Sequence, residues 1–237
     1  MLTINNLVKH RGNQEILSGI SFKARPGRVT GFLGPNGAGK SSTLRILLGL
    51  DRATSGSALI NGKPFVELHN PLTTIGAALD GSGAHRMRTG RAHLCWIARA
   101  AGLPRSRVEE VLEIVGLTNA AGKRVRTYSL GMGRRLGMAA ALLGDPEILV
   151  LDEPVNGLDP QGIRWIRTFL RERAASGNTV LLSSHLMGEL AETVDDVVII
   201  NHGKIVADGT LEEIISNHAT LEEAFFALTS DHAGDVL

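Results

Sequence analysis

Several things are scarce in this sequence. Its 237 residues include one cysteine, Cys95, and one tyrosine, Tyr128. A lone cysteine forms no internal disulfide and no thiolate cluster for a metal, which points to a reducing compartment. Aromatic residues are 4% of the chain, too few for the stacking platforms that hold single-stranded nucleic acid. Neither charge sign is in excess. Lys and Arg number 25 against 24 Asp and Glu, a formal net of +1. No whole-protein field therefore favours nucleic acid or an anionic membrane. Long apolar runs are missing too. Runs such as Ile148–Leu151 and Val197–Ile200 have strand length, far below the about 20 residues of a spanning helix. Residues 1–10 lack the apolar core of a signal peptide. The expectation is a cytoplasmic chain that works at a membrane only by docking on something that spans it.

Glycine, in contrast, is abundant. There are 28, against about 17 expected from a usual ~7%, so tight turns and close backbone approaches are expected. Apolar residues at 43% and charged residues at 21% describe a globular chain. Its length suits one large domain, or one with an inserted lobe.

Along the chain, Thr3–Val8 and Ile16–Ala24 read as half-buried strands and Val29–Leu33 as a buried one. Ser57–Ile60 with the Asn61-Gly62 turn suggests a hairpin, and Thr73–Leu79 a strand. From about residue 81 to 122 strand signals vanish. Leu94, Ile97, Ala98 and Ala101 fit one helical face, and Val108, Val111, Leu112 and Val115 fit another. This is a helical insert. Beyond it, helices at 134–143, 161–175 and 186–194 alternate with strands at 147–151, 179–183 and 196–201, and a short amphipathic helix covers 220–229. Such alternation predicts an α/β fold with a mainly parallel sheet.

Three segments carry chemistry. Residues 34–41 read Gly34-Pro35-Asn36-Gly37-Ala38-Gly39-Lys40-Ser41, a G-x-x-x-x-G-K-S loop between a buried strand and a helix. Glycines let backbone N–H groups converge on phosphate oxygens, and the helix N-terminus adds positive potential. Lys40 puts a charge on the β/γ-phosphates and Ser41 a hydroxyl on Mg²⁺. A nucleoside triphosphate is the implied ligand. Next, Ile148-Leu149-Val150-Leu151 ends in Asp152-Glu153. Ligands of open α/β sheets sit at such strand exits. Asp152 is expected near Mg²⁺, with Glu153 polarising the attacking water. His185 ends another buried strand and is expected at the γ-phosphate. Last, Tyr128-Ser129-Leu130-Gly131-Met132 precedes a helix expected to begin near Gly133, so Ser129 and Gly131 form a second anion cradle. Two cradles and one hydrolytic set invite a nucleotide shared between two copies of the chain.

In these residues the chain resembles the nucleotide-binding subunit of an ABC transporter over nearly its whole length. The motifs are the phosphate loop, the signature Tyr128–Met132, the Walker B end Asp152-Glu153, the D-loop Gly157-Leu158-Asp159-Pro160 and the switch His185. Ile75-Gly76-Ala77-Ala78-Leu79-Asp80, Ser129-Leu130-Gly131-Met132 and Leu221-Glu222-Glu223-Ala224-Phe225 resemble exporters of drugs, antibiotics or peptides that pair with a separate permease. The resemblance implies a P-loop ATPase core with an N-terminal antiparallel β-subdomain and a helical subdomain. It places the nucleotide-binding domain at 1–217, the helical subdomain at about 81–125 and a short tail at 218–237. It implies ATP and Mg²⁺, with residues 34–42, Ser42 included, and Arg11, Ser129 and Gly131 on nucleotide, and Ser41, Asp80 and Asp152 on the metal. Lys40, Glu153 and His185 are the implied catalytic residues. The implied partners are a membrane permease and a second ATPase subunit, identical or homologous, in a head-to-tail dimer on the inner face of the cell membrane, with no direct nucleic-acid contact.

Three departures stand out. Tyr128, Leu130 and Met132 replace residues of the usual Leu-Ser-Gly-Gly-Gln signature, so slow hydrolysis is expected. Asp80 stands where a glutamine is usual, and an ionised carboxylate donates no hydrogen bond. Arg11 stands where an aromatic usually stacks on adenine, with His10 as a second candidate for that stack, so loose adenine binding and competition by GTP are expected. The insert's arginines, among them Arg86, Arg88, Arg91, Arg99, Arg105 and Arg107, lie where the family receives a permease helix, although a solvated charged face explains most of them. The rival reading is a non-transport ABC ATPase acting on nucleic acid or the ribosome. Such proteins usually have tandem cassettes or a long coiled-coil insert, and this insert is short.

Overall fold

A computed structural model describes residues 1–79, 83–185 and 187–230. The chain forms two compact units, Met1–Leu68 with Arg167–Leu237, and His69–Ile166.

The first unit contains two sheets. In one, β1 (Leu2–Arg11) lies between β2 (Gln14–Ala24) and β4 (Ser55–Ile60), antiparallel to both. Leu2, Ile4 and Leu7 of β1 are buried. Their alternation slips by one residue at Asn6, which sits at φ 43 and donates its N–H to Ser21 Oγ at 2.8 Å. This bulge requires Gly56 opposite, where a Cβ would stand 2.1 Å from Asn6 O. The expected hairpin at Asn61-Gly62 is not formed. Ile60 pairs across β1, and the turn closes only a single bridge to Lys63.

The other sheet has the order β7 (Thr179–Ser184), β3 (Val29–Leu33), β8 (Asp196–Asn201), β9 (Lys204–Thr210). β3 is parallel to both neighbours, and β9 runs antiparallel to β8. All residues of β3, β7 and β8 are buried, which is why they read as mostly apolar runs with a few small or polar residues. β9 went unrecognised in the sequence because its apolar and polar residues do not alternate cleanly. It follows a two-residue turn, His202 (φ 44) and Gly203 (φ 73), the left-handed pair that tight hairpins need. Arg28 clamps the start of the sheet, donating from Nε and Nη2 to the Asp196 carboxylate at 2.7 and 2.6 Å. That carboxylate holds the guanidinium pKa above its ordinary value. Helix α1 (Lys40–Leu47) follows β3.

In the second unit, α2 (Pro71–Thr74) leads into β5 (Ile75–Ala78), which pairs in parallel with β6 (Ile148–Asp152). The expected strand 73–79 therefore begins late. Pro71 occupies the first helical turn, and the Thr73 and Thr74 hydroxyls donate to Asn70 O. α3 (Gly90–Ala100) and α4 (Ser106–Ile114) form the insert, and α5 (Leu130–Leu142) packs on β5. The packing is close enough that a Cβ on Gly76 would stand 2.1 Å from Ala141 O. α6 (Pro160–Ala175) follows β6 in the chain. Back in the first unit are α7 (Met187–Ala191), α8 (Leu211–Ile215) and α9 (Leu221–Ser230), shorter at α7 than the expected 186–194. α9 buries Leu221, Ala224 and Phe225, and its Thr229 O accepts from Asn201 Nδ2 at 3.1 Å.

Candidate functional site

In the first unit, residues 34–39 link the end of β3 to α1. Gly39 caps the helix at φ 113, and Gly37 sits at φ 84. A Cβ on Gly34 would lie 2.4 Å from Ile200 O, and one on Gly39 would lie 2.5 Å from Leu17 Cδ2, so neither position accepts a side chain without movement. At Gly37 no atom lies within 4 Å of that point, so the turn is open on the outside. α1 has no acidic residue in its first turn and no side-chain cap, which keeps its N-terminal potential positive. Lys40 is 7% exposed, and its ammonium donates to Gly34 O and to Pro35 O at 3.2 Å. A buried cation, a helix N-terminus and a glycine loop together suit a polyphosphate. Ser41 is exposed on the first turn and Ser42 is half-buried.

β7 carries His185 to the same place. Leu33 and Ser184 are register partners, so Gly34 and His185 follow each other out of the sheet at one end, with His185 exposed. Arg11 lies at the end of β1, its side chain 68% exposed and its Nη2 3.9 Å from Asp51 Oδ2. Asp80 lies outside the described residues.

In the second unit, the five buried residues of β6 end at Asp152, itself 7% exposed. Glu153 follows at φ 51, a left-handed backbone that a glutamate adopts only under constraint. Asn156 Nδ2 donates to Glu153 Oε2 at 3.3 Å, and the Asn156 N–H donates to Glu153 O at 3.3 Å. The second cradle begins earlier than expected. Ser129 is the N-cap of α5, its Oγ accepting from Met132 N at 3.2 Å, so Gly131 lies inside the first turn. The sequence hid this start because Leu130-Gly131-Met132-Gly133 is a poor helix former, and the cap decides the boundary. Tyr128 has its own task. Its hydroxyl donates to Ala120 O at 2.8 Å, tying the cradle to the insert, and burial raises its phenol pKa above the ordinary value. Asn156 was missed in the sequence, since an Asn-Gly pair there reads simply as a turn.

Residues 17–156 match the family described as ABC transporter. The chain belongs to that family. It is 41% identical over 221 residues to the bacitracin transport ATP-binding protein BcrA of Bacillus licheniformis, covering 92% of this chain and 71% of that one. It is 35% identical over 229 residues to the lantibiotic transport ATP-binding protein SrtF of Streptococcus pyogenes, covering 94% and 99%. A solved structure described as the ATP binding subunit of an ABC transporter superposes with a TM-score of 0.87 at 27% identity, covering 96% and 99%. The chain is thus an ATP-binding, ATP-hydrolysing subunit of an ABC transporter. Subunits of this family dimerise and partner with membrane permease components. No helix among the described residues is long and apolar enough to cross a membrane. Nothing in the family or in these relatives supports the rival reading on nucleic acid or the ribosome.

Proposed function

We propose that this subunit powers export of a peptide-like antibiotic or drug through a separate permease. The observation that carries the reading is its 41% identity with a bacitracin transport subunit, together with a complete phosphate loop. Backbone amides of residues 34–42 and the Lys40 ammonium hold the ATP phosphates. Glu153 orients and polarises the attacking water, His185 steadies the γ-phosphate, and Arg11 lies under the adenine. Ser129 and Gly131 serve the nucleotide of a partner copy, identical or homologous, so that ATP favours the closed pair by touching both cradles only there.

Ser41 and Asp152 supply hard oxygen ligands of the kind Mg²⁺ prefers. No cluster of three or more His, Cys, Asp or Glu that could hold a metal occurs among the described residues. When bound, Mg²⁺ neutralises phosphate charge; Asp80 is proposed to add a further ligand. The subunit sits on the inner face of the cell membrane through its permease. The domain reading, 1–217 with a helical subdomain near 81–125 and a tail from 218, is supported in its helical part by α3 and α4.

The test is co-purification from membranes, identification of the spanning partner, and ATPase assay of the complex with peptide antibiotics. Stimulation by such compounds is expected. A partner without membrane spans, or an ATPase indifferent to every exported class tried, removes the reading.

A further inference from the structure

Leu130 is apolar and 67% exposed, on the first turn of α5. It is not idle there. Gly157 sits at φ 75 directly beneath it, and a Cβ at Gly157 would meet Leu130 Cδ2 at 2.5 Å and Cγ at 2.8 Å. From the other side, a Cβ at Gly131 would stand 3.0 Å from Gly157 O and 3.7 Å from Leu158 Cδ2. Two residues of the second cradle therefore rest on the 156–158 turn. Arg135, one turn further along α5, adds a second tie, with Nη2 3.8 Å from Asp159 Oδ1 and Nη1 donating to Val115 O at 3.2 Å. The residue before Gly157 is Asn156, which donates to the Glu153 carboxylate. Glu153 is itself held in a left-handed backbone, and the Asn156 amide is one of the groups that orient its carboxylate.

We propose that Leu130 is a positioning residue for hydrolysis: it presses the Gly157 turn into the conformation in which Asn156 aims the Glu153 carboxylate. The cradle that receives a partner's nucleotide is thereby linked, inside one chain, to that chain's own hydrolytic glutamate. A movement of the Ser129–Gly131 turn is passed through Leu130 and Gly157 to Asn156. The glycine usual at position 130 would leave the turn at 157 without its cover, so in this chain Leu130 supports hydrolysis, contrary to the slowing its replacement of that glycine alone suggests. The inference rests on the proposed role of Glu153.

The experiment is a double-mutant cycle on the full chain, alone and with its permease, reading kcat and KM for ATP. Leu130→Gly and Asn156→Ala are each expected to lower kcat about tenfold, with KM within about twofold, and the pair together to fall little further, since one path is cut twice. Leu130→Met is expected to keep most of kcat. Gly157→Ala gives a second measure: its damage to kcat is expected to be smaller in a Leu130→Gly background, where the clash is gone. Full additivity of Leu130→Gly and Asn156→Ala, or a loss confined to KM, overturns the proposal. Glu153→Gln run in parallel separates the two failures, because a parental rate in that variant sinks the assigned base itself. Matching thermal midpoints across the set confirm that kcat reports on the site and not on folding.

Discussion

Leu33 and Ser184 are direct partners in the parallel register of β3 and β7. The Gly34–Gly39 loop and His185 therefore leave neighbouring strands side by side. Residues 151 positions apart in sequence are brought together because two all-buried strands pair in one register, and a slip of one residue would separate them.

Glu153→Gln is expected to lower phosphate release by about 10²–10⁴-fold, the usual contribution of a positioned base. ATP binding persists, and the variant is expected to run as a stable dimer with ATP on gel filtration. A rate equal to the parent's would end the assignment.

Arg11→Tyr is expected to lower KM for ATP relative to GTP. The arginine is mostly exposed and only 3.9 Å from Asp51, so little structure depends on it. Unchanged KM values for both nucleotides in the variant would place adenine elsewhere.

Gly39→Ala forces a side chain onto φ 113 and within 2.5 Å of Leu17. The expected cost is about 1–3 kcal/mol of stability, with loss of nucleotide binding by titration calorimetry. The corresponding change at open Gly37 strains only the backbone and is expected to be milder.

Gly76→Ala tests packing away from nucleotide. Its Cβ would lie 2.1 Å from Ala141 O, a backbone atom that cannot swing aside. A loss of about 1–3 kcal/mol in denaturant unfolding is expected, with KM for ATP little changed in whatever folded fraction remains.

Asp51 supplies a pH test. Its carboxylate accepts from Lys9 Nζ at 2.7 Å and from Arg52 N at 2.8 Å, and these bonds, Lys9 first, lower its pKa from the ordinary 3.8. A lowered folded value means stability that is complete above pH 3.8 and lost as pH falls through the folded pKa. Asp51→Asn is thus expected to be about 1 kcal/mol less stable than the parent at neutral pH, the gap in thermal midpoint closing in acid.

What could be read from sequence alone follows a physical divide. β3, β6, β7 and β8 were legible because strands buried on both faces are mostly apolar, and the phosphate loop because its spacing, glycines and flanks leave few other uses. Ser129 and Gly131 were legible as residues but not as a helix start, since the cap outweighs the weak propensity of the residues after it. The strand expected at Thr73–Leu79 is present but starts only at Ile75, because the β-branched threonines before it serve a proline-led helical turn. β9 and the Asn156–Glu153 bond were not legible. Both are local, but β9 mixes apolar and polar residues without clean alternation, and Asn156-Gly157 reads simply as a turn.

β3 has hydrogen-bonded strands on both flanks, and the phosphate loop grows straight from its end. The handle that ligand pulls on is thus welded to a stiff inner plank rather than hung from a rim. Displacing the loop's root means displacing two neighbouring strands with it, so a pull there is shared across the sheet and not taken up by one strand.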